Sequence, residues 1–239
     1  MKKTVQGVGE VTVPSTFKEK MQNFWYHYKW HSLAAFILVI AIFICTFQFC
    51  TLTKYDAYIM YAGGKNIGRT ASDGDFAEIE KVISALKGVT EDFDKNGEVS
   101  PNFVSYFYLS SEEASDRDDV NDLLLANDRK SIQSVFEHSE YYLCFISKSV
   151  YEEYGRVGDD EIFLNLNEFK KEGVEFYTDS AILFSSLDAS TLSGFSAFPD
   201  DTLVCIRRPS VLGGKSKEHQ RYVENAKEIL TNLINIKID

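Results

Sequence analysis

The chain has 239 residues, of which 44% are hydrophobic and 26% charged, with a formal net charge of −11. These proportions fit a globular protein rather than a disordered one, and the acidity, with no dense basic run to offset it, argues against a nucleic-acid-binding surface. The charge is uneven: residues 1–52 hold five Lys and two Glu, which leaves 20 basic and 34 acidic residues, a formal −14, for the rest.

Residues 1–16 carry two Gly and a Pro and no sustained periodicity, and they read as a tail. From Phe17 to His31 the chain turns aromatic, with Phe24, Trp25, Tyr26, Tyr28 and Trp30 set among Lys18, Lys20 and Lys29. Trp and Tyr favour the headgroup level of a bilayer, where Lys stems can snorkel beside them. This predicts an amphipathic helix at the membrane interface, in which His27 and His31 anchor rather than catalyse. Leu33–Leu52 then runs for 20 residues without Asp, Glu, Lys, Arg, Gly or Pro. As a helix it reaches about 30 Å, the thickness of a bilayer's hydrocarbon core.

The apolar run is longer than a cleaved signal's core and no Ala-x-Ala site follows it, so an uncleaved signal anchor is expected. Lys18, Lys20 and Lys29 before the run balance Lys54, Lys65 and Arg69 after it. The whole tail tips the count and places the N-terminus in the cytoplasm and the following domain outside. Three parts follow: a tail with its interfacial helix at 1–32, a transmembrane helix at 33–52 and an extracytoplasmic domain at 54–239.

Within that domain, Tyr55–Gly64 reads as a strand ending in a Gly pair, and Asp75–Lys87 as a helix with Phe76, Ile79, Ile83 and Leu86 on one stripe and Asp73 or Asp75 as its cap. Asn102–Leu109 is a second strand, Val120–Phe136 a helix, and Tyr141–Ser147 a third strand apolar enough for burial on both faces. Short apolar pieces at 162–164, 174–177 and 181–184 precede a strand at Asp201–Arg208. Lys217–Leu233 is the last helix, striped by Tyr222, Ala226, Ile229 and Leu233. The alternation predicts an α/β domain: a three-layer, largely parallel sheet with helices on both faces. Cys144 and Cys205 fall inside predicted strands and read as two buried thiols, although an oxidising compartment would permit their pairing.

The most specific chemical signal is Asp92-Phe-Asp-Lys-Asn-Gly-Glu-Val-Ser100. It matches the first half of a calcium loop, in which carboxylates or amides at positions 1, 3 and 5 converge and Gly at 6 allows the sharp turn. Asp92, Asp94 and Asn96 would supply side-chain oxygens, Glu98 its carbonyl, and Ser100 a water. Position 12 is Phe103 instead of a bidentate Glu, so an EF-hand is excluded and a helix–loop–strand Ca²⁺ site is what remains. The competing reading is an Asn-Gly turn with solubilising acids.

Other motifs are weaker. Gly63–Thr70 has the outline of a phosphate loop, but Arg69 replaces the Lys and no helix start follows at once. Gly194-Phe-Ser-Ala-Phe198 lacks the second Gly of a nucleophile elbow. His138 closes a helix, and His219 reads as solvated surface. No catalytic residue is assigned.

The aromatic segment Phe24–His31, the spanning run, the strand Tyr58–Gly63 and the loop Asp92–Val99 together resemble small single-span membrane proteins of Gram-positive bacteria. The outer part of such proteins is similar to one lobe of an extracellular solute-binding protein. The resemblance implies a binding or accessory role toward a small solute or another envelope component, with the lipid bilayer as a partner. The alternative is a membrane-tethered hydrolase acting on envelope or peptide substrates. A sensor is disfavoured by the small tail.

Overall fold

A computed structural model of the chain describes residues 16–50, 55–68, 76–117, 121–138, 140–157, 160–209 and 216–236. It divides into two compact units, Met1–Thr53 and Lys54–Asp239.

The first unit is helix α1, Phe17–Cys50. The aromatic segment and the apolar run, expected as two elements, form one continuous helix. No Gly or Pro lies between Phe17 and Cys50, so nothing breaks the hydrogen-bond ladder. Its 34 residues span about 51 Å, longer than a hydrocarbon core. Lys20–Thr46 is long and apolar enough to cross a membrane, and none of that stretch is buried in protein. Phe36, Ile37, Leu38 and Phe43 point outward, each more than half exposed.

The second unit is an α/β domain. Its strands are β1 (Ala57–Gly63), β2 (Pro101–Phe107), β3 (Leu143–Ile146), β4 (Arg156–Val157), β5 (Asp160–Glu161), β6 (Phe176–Thr178), β7 (Ala181–Leu183) and β8 (Leu203–Ile206). Its helices are α2 (Phe76–Val89), α3 (Ser111–Ser115), α4 (Asp122–His138), α5 (Lys148–Tyr154) and α6 (Lys217–Asn235). Six strands form one sheet in the order β2-β1-β3-β8-β7-β6, and β4 and β5 pair separately.

The sheet is mixed, which corrects the expectation of a largely parallel one. β1 pairs with β2 and β3 in parallel, whereas the β3–β8, β7–β8 and β6–β7 ladders are antiparallel. Connection length accounts for the two parallel pairs and for the β6–β7 hairpin. Helices α2 and α4 give the chain the dozen or more residues a parallel crossover needs. Between β6 and β7 lie only Asp179 and Ser180, which permit a hairpin and nothing else. The piece at 162–164 contributes a single bridge, Phe163 to Arg207.

Strand β1 alternates between two cores. Ile59 and Tyr61 join Val82 and Leu86 of α2 and Ala226 and Ile229 of α6. Met60 and Ala62 join Ile132 and Phe136 of α4 and Val150 of α5. Phe145 anchors the first core, its ring 4.9 Å from Phe198 and 5.2 Å from Phe184. Each fully buried side chain of this size contributes about 1.5–3 kcal/mol through lost apolar exposure. The proposed caps Asp73 and Asp75 lie outside the described residues.

Candidate functional site

The loop between α2 and β2 is organised by a residue the motif does not contain. Asp56, just before β1, is 1% exposed. Its Oδ1 accepts the Phe93 and Asp94 N–H groups at 2.8 and 3.2 Å, and its Oδ2 accepts the Ser100 N–H and Oγ at 2.8 and 3.3 Å. The Asp56 N–H donates to the Ser100 carbonyl at 3.1 Å, and the Asp56 carbonyl accepts from Asn225 Nδ2 of α6 at 2.8 Å. A buried carboxylate is tolerated because four donors replace its water.

Around this anchor the loop closes on itself. Asp92 accepts the Asn96 and Gly97 N–H groups at 3.0 and 2.7 Å, and Asp94 accepts Asn96 N–H and Nδ2 at 3.0 and 2.9 Å. Asn96 Oδ1 accepts the Glu98 N–H at 2.8 Å. Lys95 and Gly97 take φ of 58° and 91°, the left-handed region that makes glycine the natural residue at the second position. The Gly97 N–H, then the Asn96 N–H, hold the Asp92 carboxyl below the usual carboxylate range.

One carboxylate oxygen from each of Asp56, Asp92 and Asp94 lies within 4.8 Å of the others. Their capacities differ. A carboxylate oxygen has about two lone-pair directions. Both Asp56 oxygens already accept two donors, so Asp56 holds the loop rather than offering a ligand. Each oxygen of Asp92 and Asp94 accepts one bond from Asn96 or Gly97, and the Lys95 N–H and the Asp94 side chain also act on Asp92, but both side chains are partly exposed where Asp56 is buried. Of the four candidate ligands, the fold brings Asp92 and Asp94 together and turns the Asn96 amide back onto its neighbours, with its Oδ1 directed to Glu98. Glu98 is exposed, and its own carboxylate is no part of the cluster.

At the opposite end of the parallel strands lies a topological switch point, because the order β2-β1-β3 sends the chain to opposite sides after β1 and β3. It is framed by Gly63, Gly64 and Lys65 and by Ser147, which caps α5 through the Val150 N–H at 3.3 Å. Lys65 Nζ pairs with Glu78 at 3.4 Å, with both side chains about 40% exposed. Arg69 and Thr70 lie outside the described residues. The Gly194 segment has a packing reason of its own. A Cβ there would meet the Lys81 carbonyl at 2.3 Å, Phe195 and Phe198 enter the core, and Ser196 Oγ donates to the Ser193 carbonyl at 2.8 Å.

His219 departs from the expected solvated surface. Its Nδ1 contacts the Tyr142 hydroxyl, and the Arg207 guanidinium lies 4.8 Å from the Tyr142 ring centre. Arg207 is itself buried, with Nη1 donating to the Phe136 carbonyl at 3.0 Å and Nε to the Tyr141 carbonyl at 3.2 Å. These contacts pin one end of the central β3–β8 pair to α4 and α6. The open groove of about 730 Å³ beside α6 is lined mostly by charged and polar side chains, including the Lys227–Glu168 pair at 3.2 Å, with Phe169 and Ile234 as its apolar ones.

No family model, curated protein or solved structure matches the chain.

Proposed function

We propose that the protein is a single-span, membrane-anchored domain displayed outside the cell, with a binding or accessory role toward a small solute or another envelope component. The observation that carries the reading is the contrast between the units: α1 exposes its apolar side chains on every side, while the α/β domain encloses its own. A helix apolar all round needs lipid or protein around it. The parallel β2-β1-β3 portion, with its switch point, supports a likeness to one lobe of a solute-binding protein. In this reading the loop takes Ca²⁺ through Asp92, Asp94 and the Glu98 carbonyl, with water completing the shell. Two carboxylates and no bidentate Glu place the affinity in the weak, millimolar class suited to an extracellular module.

Alkaline extraction of membranes tests the anchor: the full chain stays in the pellet, and its release into the supernatant would refute the span. Calcium titration of the full chain in detergent tests the loop. A rise in melting temperature at millimolar Ca²⁺, absent in Asp92→Asn, is expected, and an unchanged melt would remove the ion.

A further inference from the structure

Cys144 and Cys205 are the two cysteines of residues 54–239, 61 positions apart in the chain. They stand directly opposite each other in the antiparallel β3–β8 ladder. Both are fully buried and both belong to the core that includes Met60 and Ile132, so their side chains leave the sheet on the same face. The Arg207 N–H donates to the Tyr142 carbonyl at 2.8 Å. By the two-residue alternation of an antiparallel ladder, Cys144 and Cys205 are therefore a hydrogen-bonded pair. Such pairs hold their Cα atoms about 5.5 Å apart, near the centre of the disulfide range. Opposed Cβ atoms lie about 4.5–5.5 Å apart, toward the upper end in a hydrogen-bonded pair, so closure asks for a shift of roughly 1–2 Å.

In the structure both cysteines are free thiols. We propose that they are the site of a cross-strand disulfide that staples the parallel half of the sheet to the antiparallel half. The bond forms while the chain folds. Once β8 has docked, burial pushes the Cys144 thiol up to about 12 and the Cys205 thiol well above its ordinary value, which removes the thiolate that must attack. The oxidant is a disulfide of the thiol-oxidoreductase or glutathione class. The first cysteine attacks it as a thiolate and forms a mixed disulfide, releasing one oxidant thiol. The second cysteine displaces the other sulfur. The Cys144–Cys205 bond forms, the oxidant leaves as two thiols carrying the two electrons, and the two cysteine protons end on those thiols. The proposal rests on the outward placement of the domain, because the cytoplasm would keep the pair reduced.

The test takes full-length protein from membranes, quenches it in acid and alkylates it before and after reduction. Without reduction, the tryptic peptides 131–148 and 172–207 should appear as one linked species, while Cys45 and Cys50 are alkylated. A second arm refolds the full chain in detergent with oxidised glutathione. Linkage in both arms supports the disulfide. Linkage only on refolding supports the pairing and refutes the outward placement. Free thiols after refolding overturn the disulfide whatever the topology. Reduction should lower the melting temperature of the linked protein by roughly 10 °C and leave the Cys144→Ala/Cys205→Ala protein unmoved; equal melts would overturn the staple.

Discussion

The two units of this chain place apolar residues in opposite ways. In α1, Ile37, Leu38 and Phe43 face outward with no protein to cover them, while in the domain Ile59, Leu143 and Phe145 are fully buried. Similar side chains are thus stabilised by different surroundings: lipid in the proposed setting of α1, and close-packed neighbours in the sheet. A second contrast lies within the domain. Asp56 and Asp92 are both carboxylates that hold the α2–β2 loop, Asp56 from just before β1 and Asp92 from within the loop, yet Asp56 is buried with four donors and Asp92 is partly exposed. The first is structural in its consequences; the second carries the proposed ion site.

Substitutions separate these cases. Phe145→Ala removes a ring packed between Phe184 and Phe198 and should cost about 3–5 kcal/mol in urea unfolding of the domain, with membrane retention unchanged. Equal stability would show that the aromatic core is not packed as described. Ile40→Arg should do the reverse, opposing insertion by about 2.5–3.5 kcal/mol and releasing chain into the alkaline supernatant while the domain melts as before. Asp56→Ala orphans the donors of Phe93, Asp94 and Ser100 and should destabilise by about 2–3 kcal/mol. Asp92→Asn should cost less than Asp56→Ala. If the order of those two is reversed, the anchor of the loop has been misassigned.

The smallest effect is on pH dependence. Because the Gly97 N–H depresses the native Asp92 carboxyl, its contribution to stability is present above the ordinary carboxylate range and is lost as pH falls through the native value. The stability gap between wild type and Asp92→Asn should therefore stay flat at neutral pH and close only in acid. A gap that opens in acid would contradict the hydrogen-bond pattern.

The sequence carried most of the elements because their signals are local. The stripe Ile79, Ile83, Leu86 located α2, and the continuous apolarity of Leu143–Ile146 located a central strand. Two short helices also carry local signals: Ser110-x-x-Glu113 is a capping box, with both reciprocal bonds formed, and Ser147 caps α5. In the antiparallel half β8 was legible from its unbroken apolar run, but β6 and β7 are three residues each, below the length at which periodicity speaks. Only the two-residue gap between Thr178 and Ala181 hinted at a hairpin. In the loop, the spacing of Asp92, Asp94 and Gly97 was visible, but Asp56 lies 36 residues earlier and nothing local marks it as buried. His219 was misplaced for the same reason: its partner Tyr142 is 77 residues away.

The proposed function rests most directly on the placement of the domain, and protease treatment of intact cells carrying the full chain measures it. An impermeant protease should remove the α/β domain and leave an α1 fragment in the membrane. Survival of the domain in intact cells, with digestion only after lysis, would contradict it.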